Sequence, residues 1–379
     1  MENLLVNKVG AVKEVRQAAE YQKKKQACIL TGLAGSSKPV FFAAADKLLG
    51  GKGSMAFITA SREEIRTYRR ELNYLYPDLP MQELYPVSLP RVQADTQSLE
   101  LQAGRAAALR FLSGEERGIV FITAEALQQK QLRPSGMSGK ALQLAVGEEH
   151  EQRNIVAALL DLGYERTEQV DALGQFCLRG DILDVYPINS SAAVRIEWFD
   201  NELDAMRSFD VDTQRSLQTL TSIKIAPLKV DESFSYDADI FEYCAADTMV
   251  VVDEPVHVFG MLEKLDKENK EHASELFGKQ ELIEQLAANG AVLVSALGHS
   301  YLQQLPSLNI PVRAVAPYNK NTNLLVEDLQ NWLAEGITPL IMLSGSIKAR
   351  GFADNLRNYG LKGHFAQKSF EPGVVNVTY

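Results

Sequence analysis

Short apolar runs alternate with longer amphipathic runs through the first third of the chain. The runs Ala27–Thr31, Met55–Thr59 and Gly118–Thr123 are short, apolar and end in threonine. Such runs are typical of buried parallel strands. Between them, Val40–Leu49 and Arg62–Leu75 have helical patterns. Strand–helix alternation predicts βαβ units that build a parallel sheet.

The pattern changes near Ala141, where short strand-like segments are separated by turn residues. One helical stretch, Glu151–Leu162, interrupts them. The predicted strands are Leu142–Val146, Gln175–Leu178, Asp181–Tyr186, Val194–Phe199 and Ala205–Phe209. We therefore predict a small antiparallel α+β domain over residues 132–222.

Strand–helix alternation resumes after the predicted small domain. Thr248–Asp253 and Ala291–Ser295 are apolar and predict further strands of the first sheet. The fold class predicted is α/β: a parallel-sheet domain formed by residues 1–131 and 223–308, split by the insertion at 132–222. Residues 309–379 predict the start of a second α/β domain. Its predicted elements are strand Val312–Ala316, helix Leu324–Ala334, strand Pro339–Leu343, helix Ser346–Tyr359 and strand Val374–Thr378.

The composition is that of a globular protein, with 379 residues of which 46% are hydrophobic and 23% charged. No apolar run approaches the ~20 residues of a membrane span, and the amino terminus lacks the apolar core of a signal peptide. We therefore expect a cytoplasmic protein without membrane contact. The three cysteines and five histidines form no metal-binding spacing, so we expect no metal site.

A net charge of −10 argues against a general nucleic-acid binder. One predicted helix nevertheless carries four arginines, and three of them share a face. These are Arg62, Arg66, Arg69 and Arg70, diluted by Glu63, Glu64 and Glu71. The cluster is either a local DNA-binding face or a solvated helix surface.

The segment Gly32–Lys38 lies between a predicted strand and a predicted helix, which is the place of a phosphate-binding loop. Gly32 and Lys38 fit the GxxxxGK[ST] pattern, and Gly35 adds a second glycine. Ser37 replaces the last glycine of the pattern, and Pro39 replaces the hydroxyl that would hold Mg²⁺. The loop is therefore either a serine-capped turn or a weak anion site.

An acidic pair, Asp253 and Glu254, follows a later apolar strand. In a nucleotide hydrolase, acidic residues at such a position hold Mg²⁺ and activate water. Without a complete phosphate loop the pair has little to act on. An acidic turn at the end of a strand is the other interpretation.

The longest specific run extends from Gly174 to Ser216. Period-two alternation on paired strands can place Arg179 and Arg195 on one face. Phe199 beside them would complete a protein-binding patch, since arginine and aromatic residues dominate interface hot spots. The alternative is a solvated face on which the arginines pair with Glu197, Asp200 and Glu202.

This run resembles the segment shared by the excision-repair helicase UvrB and the transcription-repair coupling factor (Mfd) family, with the coupling factors the closer match. The motifs are R-G-D-I-L-D-V-Y-P, R-I-E-W-F-D-N-E-L-D and S-F-D-V-D-T-Q-R-S, joined by the degenerate T-G-L-A-G-S-S-K turn. The resemblance implies a RecA-like domain split by an insertion that binds UvrA, followed by part of a second RecA-like domain. By motif, it assigns UvrA binding to Arg179, Arg195 and Phe199.

The resemblance also implies a degenerate nucleotide site that no longer binds ATP. Its residues are Gly32, Gly35, Ser37, Lys38, Asp253 and Glu254. Proteins of the family contact RNA polymerase and double-stranded DNA through further domains, which include an ATP- and magnesium-dependent translocase. This chain ends at Tyr379 without those motifs. We therefore expect a UvrA-recruiting, autoinhibitory part that needs no cofactor and is not itself an enzyme. The alternative is a UvrB-like ATPase or DNA-binding repair protein with an atypical loop at Lys38, Asp253 and Glu254.

Overall fold

The computed structural model contains a large parallel sheet, a small inserted unit and a third unit with its own sheet. It describes residues 4–89, 99–134, 141–228, 236–296, 304–313, 315, 317–319, 321–367 and 369–379.

Seven parallel strands form the large sheet, in the spatial order β17-β1-β16-β15-β2-β4-β3. Two segments far apart in sequence build this sheet, because β15, β16 and β17 return to it after the insertion. The strands are β1 (Cys28–Thr31), β2 (Met55–Thr59), β3 (Met81–Leu84), β4 (Ile119–Thr123), β15 (Met249–Asp253), β16 (Val292–Ser295) and β17 (Ser307–Asn309).

Helices cover both faces of this sheet, so its central strands are apolar on both sides. Met55 and Phe57 of β2 join the core beneath the amino-terminal helices, whereas Ala56 and Ile58 join the core on the other face. The helices are α1 (Leu4–Gly10), α2 (Lys13–Lys23), α3 (Ser37–Leu48), α4 (Arg62–Leu75), α5 (Leu99–Ser113), α6 (Ala124–Gln128), α8 (Pro255–Glu268) and α9 (Lys279–Ala288).

Two short antiparallel strands, β5 (Gln131–Leu132) and β14 (Tyr236–Ala238), pair where the chain leaves and re-enters the large-sheet unit. The small unit is formed by the residues between these two strands in the sequence. It has a six-stranded sheet, β12-β11-β10-β9-β8-β7, and a separate β6–β13 pair. Its elements are β6 (Leu142–Ala145), α7 (Gln152–Asp161), β7 (Glu165–Arg166), β8 (Gln175–Arg179), β9 (Ile182–Val185), β10 (Ala193–Phe199), β11 (Glu202–Phe209), β12 (Ser216–Leu220) and β13 (Ser222–Ile225).

A third unit follows, with a three-stranded parallel sheet in the order β18-β20-β19. Leu329, Ala353 and Val375 are among its buried core residues. Its elements are α10 (Thr322–Ala334), β18 (Leu340–Met342), α11 (Ser346–Asn355), β19 (Gly363–Phe365) and β20 (Val375–Thr378).

The predicted fold class, a parallel α/β sheet split by a small antiparallel insertion, is confirmed. One predicted strand is wrong: the described residues of Val312–Ala316 are not extended into a sheet. Ala314 and Ala316 lie outside the described residues. The strand that completes the large sheet is β17, a few residues earlier, and β13 continues the small unit to Ile225, beyond the expected boundary at 222.

Helices of membrane-spanning length and hydropathy do not occur in the described part of the chain. The same residues contain no group of three or more histidine, cysteine or acidic side chains placed to hold a metal ion.

Candidate protein-interaction surface and closed phosphate loop

Strand register brings charged side chains together on one face of the small unit, which we call the outer face. Asp184 of β9 lies directly opposite Arg195 of β10, and Arg195 lies opposite Arg207 of β11. The alternate residues of β10, such as Ile196, point into the core of the unit. The outer face therefore carries charged side chains next to a small buried apolar cluster that includes Phe209.

Asp184 is the centre of this face and binds two arginines. Arg195 donates from Nε to Oδ1 at 2.6 Å and from NH2 to Oδ2 at 2.8 Å, a bidentate pair. Arg179 donates from NH2 to Oδ2 at 3.1 Å. The side chain of Asp184 is 2% exposed, that of Arg195 is 18% exposed and that of Arg179 is 54% exposed.

Further contacts hold Arg195 in place. Its NH2 group donates to Oε1 of Gln214 at 3.1 Å, and its guanidinium lies 4.7 Å from the ring centre of Phe209. The hydrogen bonds with Asp184 raise the pKa of Arg195 and outweigh the opposing effect of burial. Arg195 is therefore a permanently charged group in a fixed position.

Gln214 is held by the turn between β11 and β12. Its backbone is left-handed, with φ of 58°. Oδ1 of Asp210 accepts from the backbone nitrogen of Thr213 at 2.8 Å and from its hydroxyl at 2.7 Å. These hydrogen bonds lower the pKa of Asp210. The turn fixes the backbone from which Gln214 contacts Arg195.

Phe199 ends β10 and is 77% exposed. Ile182 of β9, which pairs with Glu197, is also exposed, at 37%. Arginine and aromatic residues are enriched in protein interfaces, so Phe199, on the strand that carries Arg195, is a candidate contact residue.

The prediction that Arg179 and Arg195 share a face is confirmed, and Phe199 lies on the same strand as Arg195. The proposed pairing with Glu197, Asp200 and Glu202 is wrong. Both arginines bind Asp184, while Glu197 pairs with Arg207. The roles of Arg179, Arg195 and Phe199 in binding a partner stay a prediction.

The degenerate loop follows β1 and is covered by the chain after β17. Gly32 has φ of 86°, and a Cβ there would lie 2.7 Å from the carbonyl oxygen of Ile310. Val312 donates its backbone N–H to the oxygen of Gly32 at 3.0 Å. Only glycine fits this close approach of two backbone segments.

The loop's own groups are largely satisfied within the protein. The hydroxyl of Ser37 donates to the oxygen of Ala34 at 2.7 Å and accepts from its nitrogen at 3.0 Å. Pro39 is buried and has no N–H. Gly35 is exposed and left-handed, with φ of 52°. This geometry favours the serine-stabilised turn over an anion site.

The side chain of Lys38 lies between two carboxylates. Its Nζ donates to Oδ1 of Asp253 at 2.7 Å and to Oε1 of Glu254 at 2.8 Å. The three side chains are 9%, 6% and 20% exposed, respectively. Glu254 has a left-handed backbone, with φ of 41°, and accepts from the nitrogen of Ala296 at 3.1 Å.

Lys38, Asp253 and Glu254 form what we call the closed cluster, in which electrostatics keep the ammonium of Lys38 charged. Burial alone would lower the pKa of Lys38, but attraction and hydrogen bonding to the two carboxylates raise it above the ordinary value. Burial and the nearby Asp253 raise the pKa of Tyr68. One cation faces two anions, so the cluster carries a net negative charge that repels phosphate.

The arginines of α4 are partly used inside the large-sheet unit. Nε of Arg62 lies 2.5 Å from Oε1 of Glu83, and NH1 of Arg69 donates to the oxygen of Met81 at 3.3 Å. Both contacts tie α4 to the edge strand β3. Arg66 and Arg70 are exposed. Binding of DNA by these four exposed arginines stays a prediction.

Residues 142–230 match the family model described as the UvrB interaction domain. The chain is 36% identical over 203 residues to the transcription-repair-coupling factor of Bacillus subtilis. The aligned segment covers 53% of this chain and 17% of that protein. It is 28% identical over 165 residues to the factor of Escherichia coli, and this alignment covers 44% of the chain and 14% of that protein. It is 32% identical over 202 residues to the factor of Staphylococcus haemolyticus, and this alignment covers 53% of the chain and 17% of that protein.

The matched segment thus spans less than a fifth of these relatives. Among solved structures, a hypothetical ATP-dependent RNA helicase from Sulfolobus tokodaii covers 96% of this chain and is itself covered to 76%, with a TM-score of 0.31 and 12% identity. The chain is similar in sequence to the amino-terminal UvrB-like module of transcription-repair coupling factors.

Proposed function

We propose that this chain is the UvrA-recruiting part of a cytoplasmic transcription-repair coupling system, and that it docks on UvrA through the outer face of the small unit. The observation that carries the proposal is Phe199, an exposed aromatic ring on the strand of Arg195, inside the segment that matches the UvrB interaction domain.

The chemistry of the face suits a protein partner. Arg179, at about half exposure, offers donors in a fixed fork that matches carboxylates. Phe199 and Ile182 supply apolar area beside it. Arginine and aromatic residues are enriched in protein interfaces.

We further propose that contacts with RNA polymerase and double-stranded DNA, and ATP-driven translocation, belong to other parts of such coupling factors. This chain would then restrain that motor until UvrA is recruited. The alternative, an ATPase at Lys38, is disfavoured because its ammonium is already neutralised by Asp253 and Glu254.

Calorimetric titration of the chain with UvrA tests the docking proposal. Phe199→Ala removes the exposed ring without opening a cavity, and truncation of such an anchor should weaken binding by about 2 kcal/mol or more. Leu160→Ala is the matched control, because Leu160 is an exposed apolar residue of the same unit, on α7. Equal affinity of Phe199→Ala and the original chain, or no binding by either, would overturn the proposal.

A further inference from the structure

We propose that Asp184 is a positioning residue of the docking surface, which fixes the guanidinium groups of Arg179 and Arg195 before a partner arrives. The inference rests on the proposed function and deepens it, because it states what the partner must present. Asp184 lies beneath the surface, so it would act on the partner through the two arginines.

The hydrogen bonds leave defined donors for a partner. Arg195 uses Nε and NH2 on Asp184 and Gln214, and its NH1 has no hydrogen-bond acceptor among the residues that the structure describes. Arg179 uses NH2 alone. Arg195 is therefore held along its Nε–NH2 edge, which leaves NH1 for a new acceptor, whereas Arg179 is oriented by one hydrogen bond.

Charge identifies the acceptor. One carboxylate, Asp184, faces two guanidinium groups, while the neighbouring Arg207 is balanced by Glu197. The cluster of Asp184, Arg179 and Arg195 therefore carries one excess positive charge, while Glu202 lies opposite Phe199 farther along the face. We infer that the partner supplies one carboxylate to Arg179 and Arg195, next to an apolar group that covers Phe199.

Burial and the surrounding contacts make the arrangement rigid. A carboxylate that is 2% exposed is stable only when paired, so Asp184 cannot release both arginines without a large cost. Gln214 and the ring of Phe209 hold Arg195 from two further sides. A side chain ordered before binding loses less conformational entropy in the complex.

The Asp184→Asn variant separates positioning from simple charge attraction. It makes the face more positive, so charge attraction alone would strengthen binding to an acidic partner. Positioning predicts the opposite, a loss of about tenfold in UvrA affinity, because two arginines must then be ordered on binding. Asp161→Asn is the charge control, since Asp161 is an exposed residue of α7 and its replacement adds the same positive charge.

Gln214→Asn is a second variant, which keeps a residue that tolerates the left-handed backbone and shortens its reach to Arg195. It should lower UvrA affinity by a few fold. Nitrogen-15 NMR of the arginine side chains in the free chain should show a slowly exchanging Nε–H of Arg195, which Asp184→Asn abolishes.

A folded Asp184→Asn variant, checked by circular dichroism, that binds UvrA as tightly as the original chain or more tightly would overturn the inference. If that variant does not fold, a rapidly exchanging Nε–H of Arg195 in the free original chain would overturn it. Weakened binding by Phe199→Ala together with unchanged binding by these variants leaves the proposed function standing and removes only the positioning role. Failure of the original chain to bind UvrA removes both.

Discussion

The molecule contains two clusters of three charged groups with opposite arrangements. In the closed cluster one ammonium, Lys38, lies between the carboxylates of Asp253 and Glu254. On the outer face of the small unit one carboxylate, Asp184, lies between the guanidinium groups of Arg179 and Arg195. The first cluster has excess negative charge and is mostly buried, whereas the second has excess positive charge and one half-exposed member.

The difference shows that a charged cluster can bind another molecule only if some of its charge and hydrogen-bond donors stay without an internal partner. Lys38 has the sequence position of a phosphate-binding lysine, yet both of its short contacts are internal. Its charge stabilises the end of β15 and is not available to a ligand. The arginine pair keeps donors and charge at the surface, so it can recognise another molecule.

The largest effect should come from removing the central cation of the closed cluster. Lys38→Ala leaves two poorly exposed carboxylates next to each other, and breaking a buried pair in this way costs about 3–5 kcal/mol. Urea denaturation measures the loss. Lys23→Ala, which removes an exposed lysine paired with Glu20, should cost at most about 1 kcal/mol. Equal stability of the two variants would mean that the closed cluster is not a structural element.

Arg195→Ala should affect both folding and binding. It leaves the buried carboxylate of Asp184 with Arg179 alone, so unfolding should become easier by about 1–3 kcal/mol. UvrA affinity should fall as well. Denaturation and calorimetry on the same preparation measure the two effects. Unchanged stability would show that Asp184 does not need Arg195, against the outer-face arrangement described above.

Arg179→Ala should separate these effects. Its side chain is 54% exposed, so its pair with Asp184 contributes at most about 1 kcal/mol to stability. We expect the loss in the free energy of UvrA binding to be larger than the loss in the free energy of unfolding. A variant that loses stability but keeps its affinity for UvrA would place Arg179 in the fold rather than in the interface.

The pH dependence of the unfolding free energy tests the closed cluster. The folded pKa of Lys38 is raised, so its contribution is fully present below the unfolded value of about 10.4 and is lost as pH rises through the folded value. The difference in unfolding free energy between the original chain and Lys38→Met should therefore shrink above about pH 10.4. A difference that stays constant to higher pH would contradict a charged Lys38 in the folded protein.

Sequence patterns predicted the buried elements well because burial on both faces leaves an apolar signature. Met55–Thr59 was predicted with the bounds that the structure gives. Arg62–Leu75 was also predicted correctly, because its buried residues Ile65, Tyr68 and Leu72 recur at helical spacing on one face. β17, with the sequence S-L-N, was missed because a short edge strand buries only Leu308. The strand was instead predicted at the nearby Val312–Ala316, because that segment is apolar.

The candidate sites show the same limit. Alternation along strands was enough to place Arg179 and Arg195 on one face, but not to find Asp184, which has the same parity on the intervening strand. That parity is the signal that could have identified it. Gln214 could not be found in this way, because its contact with Arg195 depends on a left-handed turn.

Hydrogen–deuterium exchange of the chain with UvrA, and separately with ATP and Mg²⁺, tests the central claim most directly. We predict that UvrA slows exchange in β8, β9 and β10, and that ATP leaves Gly32–Lys38 and the end of β15 unchanged. Protection of the loop by ATP, or protection by UvrA that spares the outer-face strands, would contradict the account.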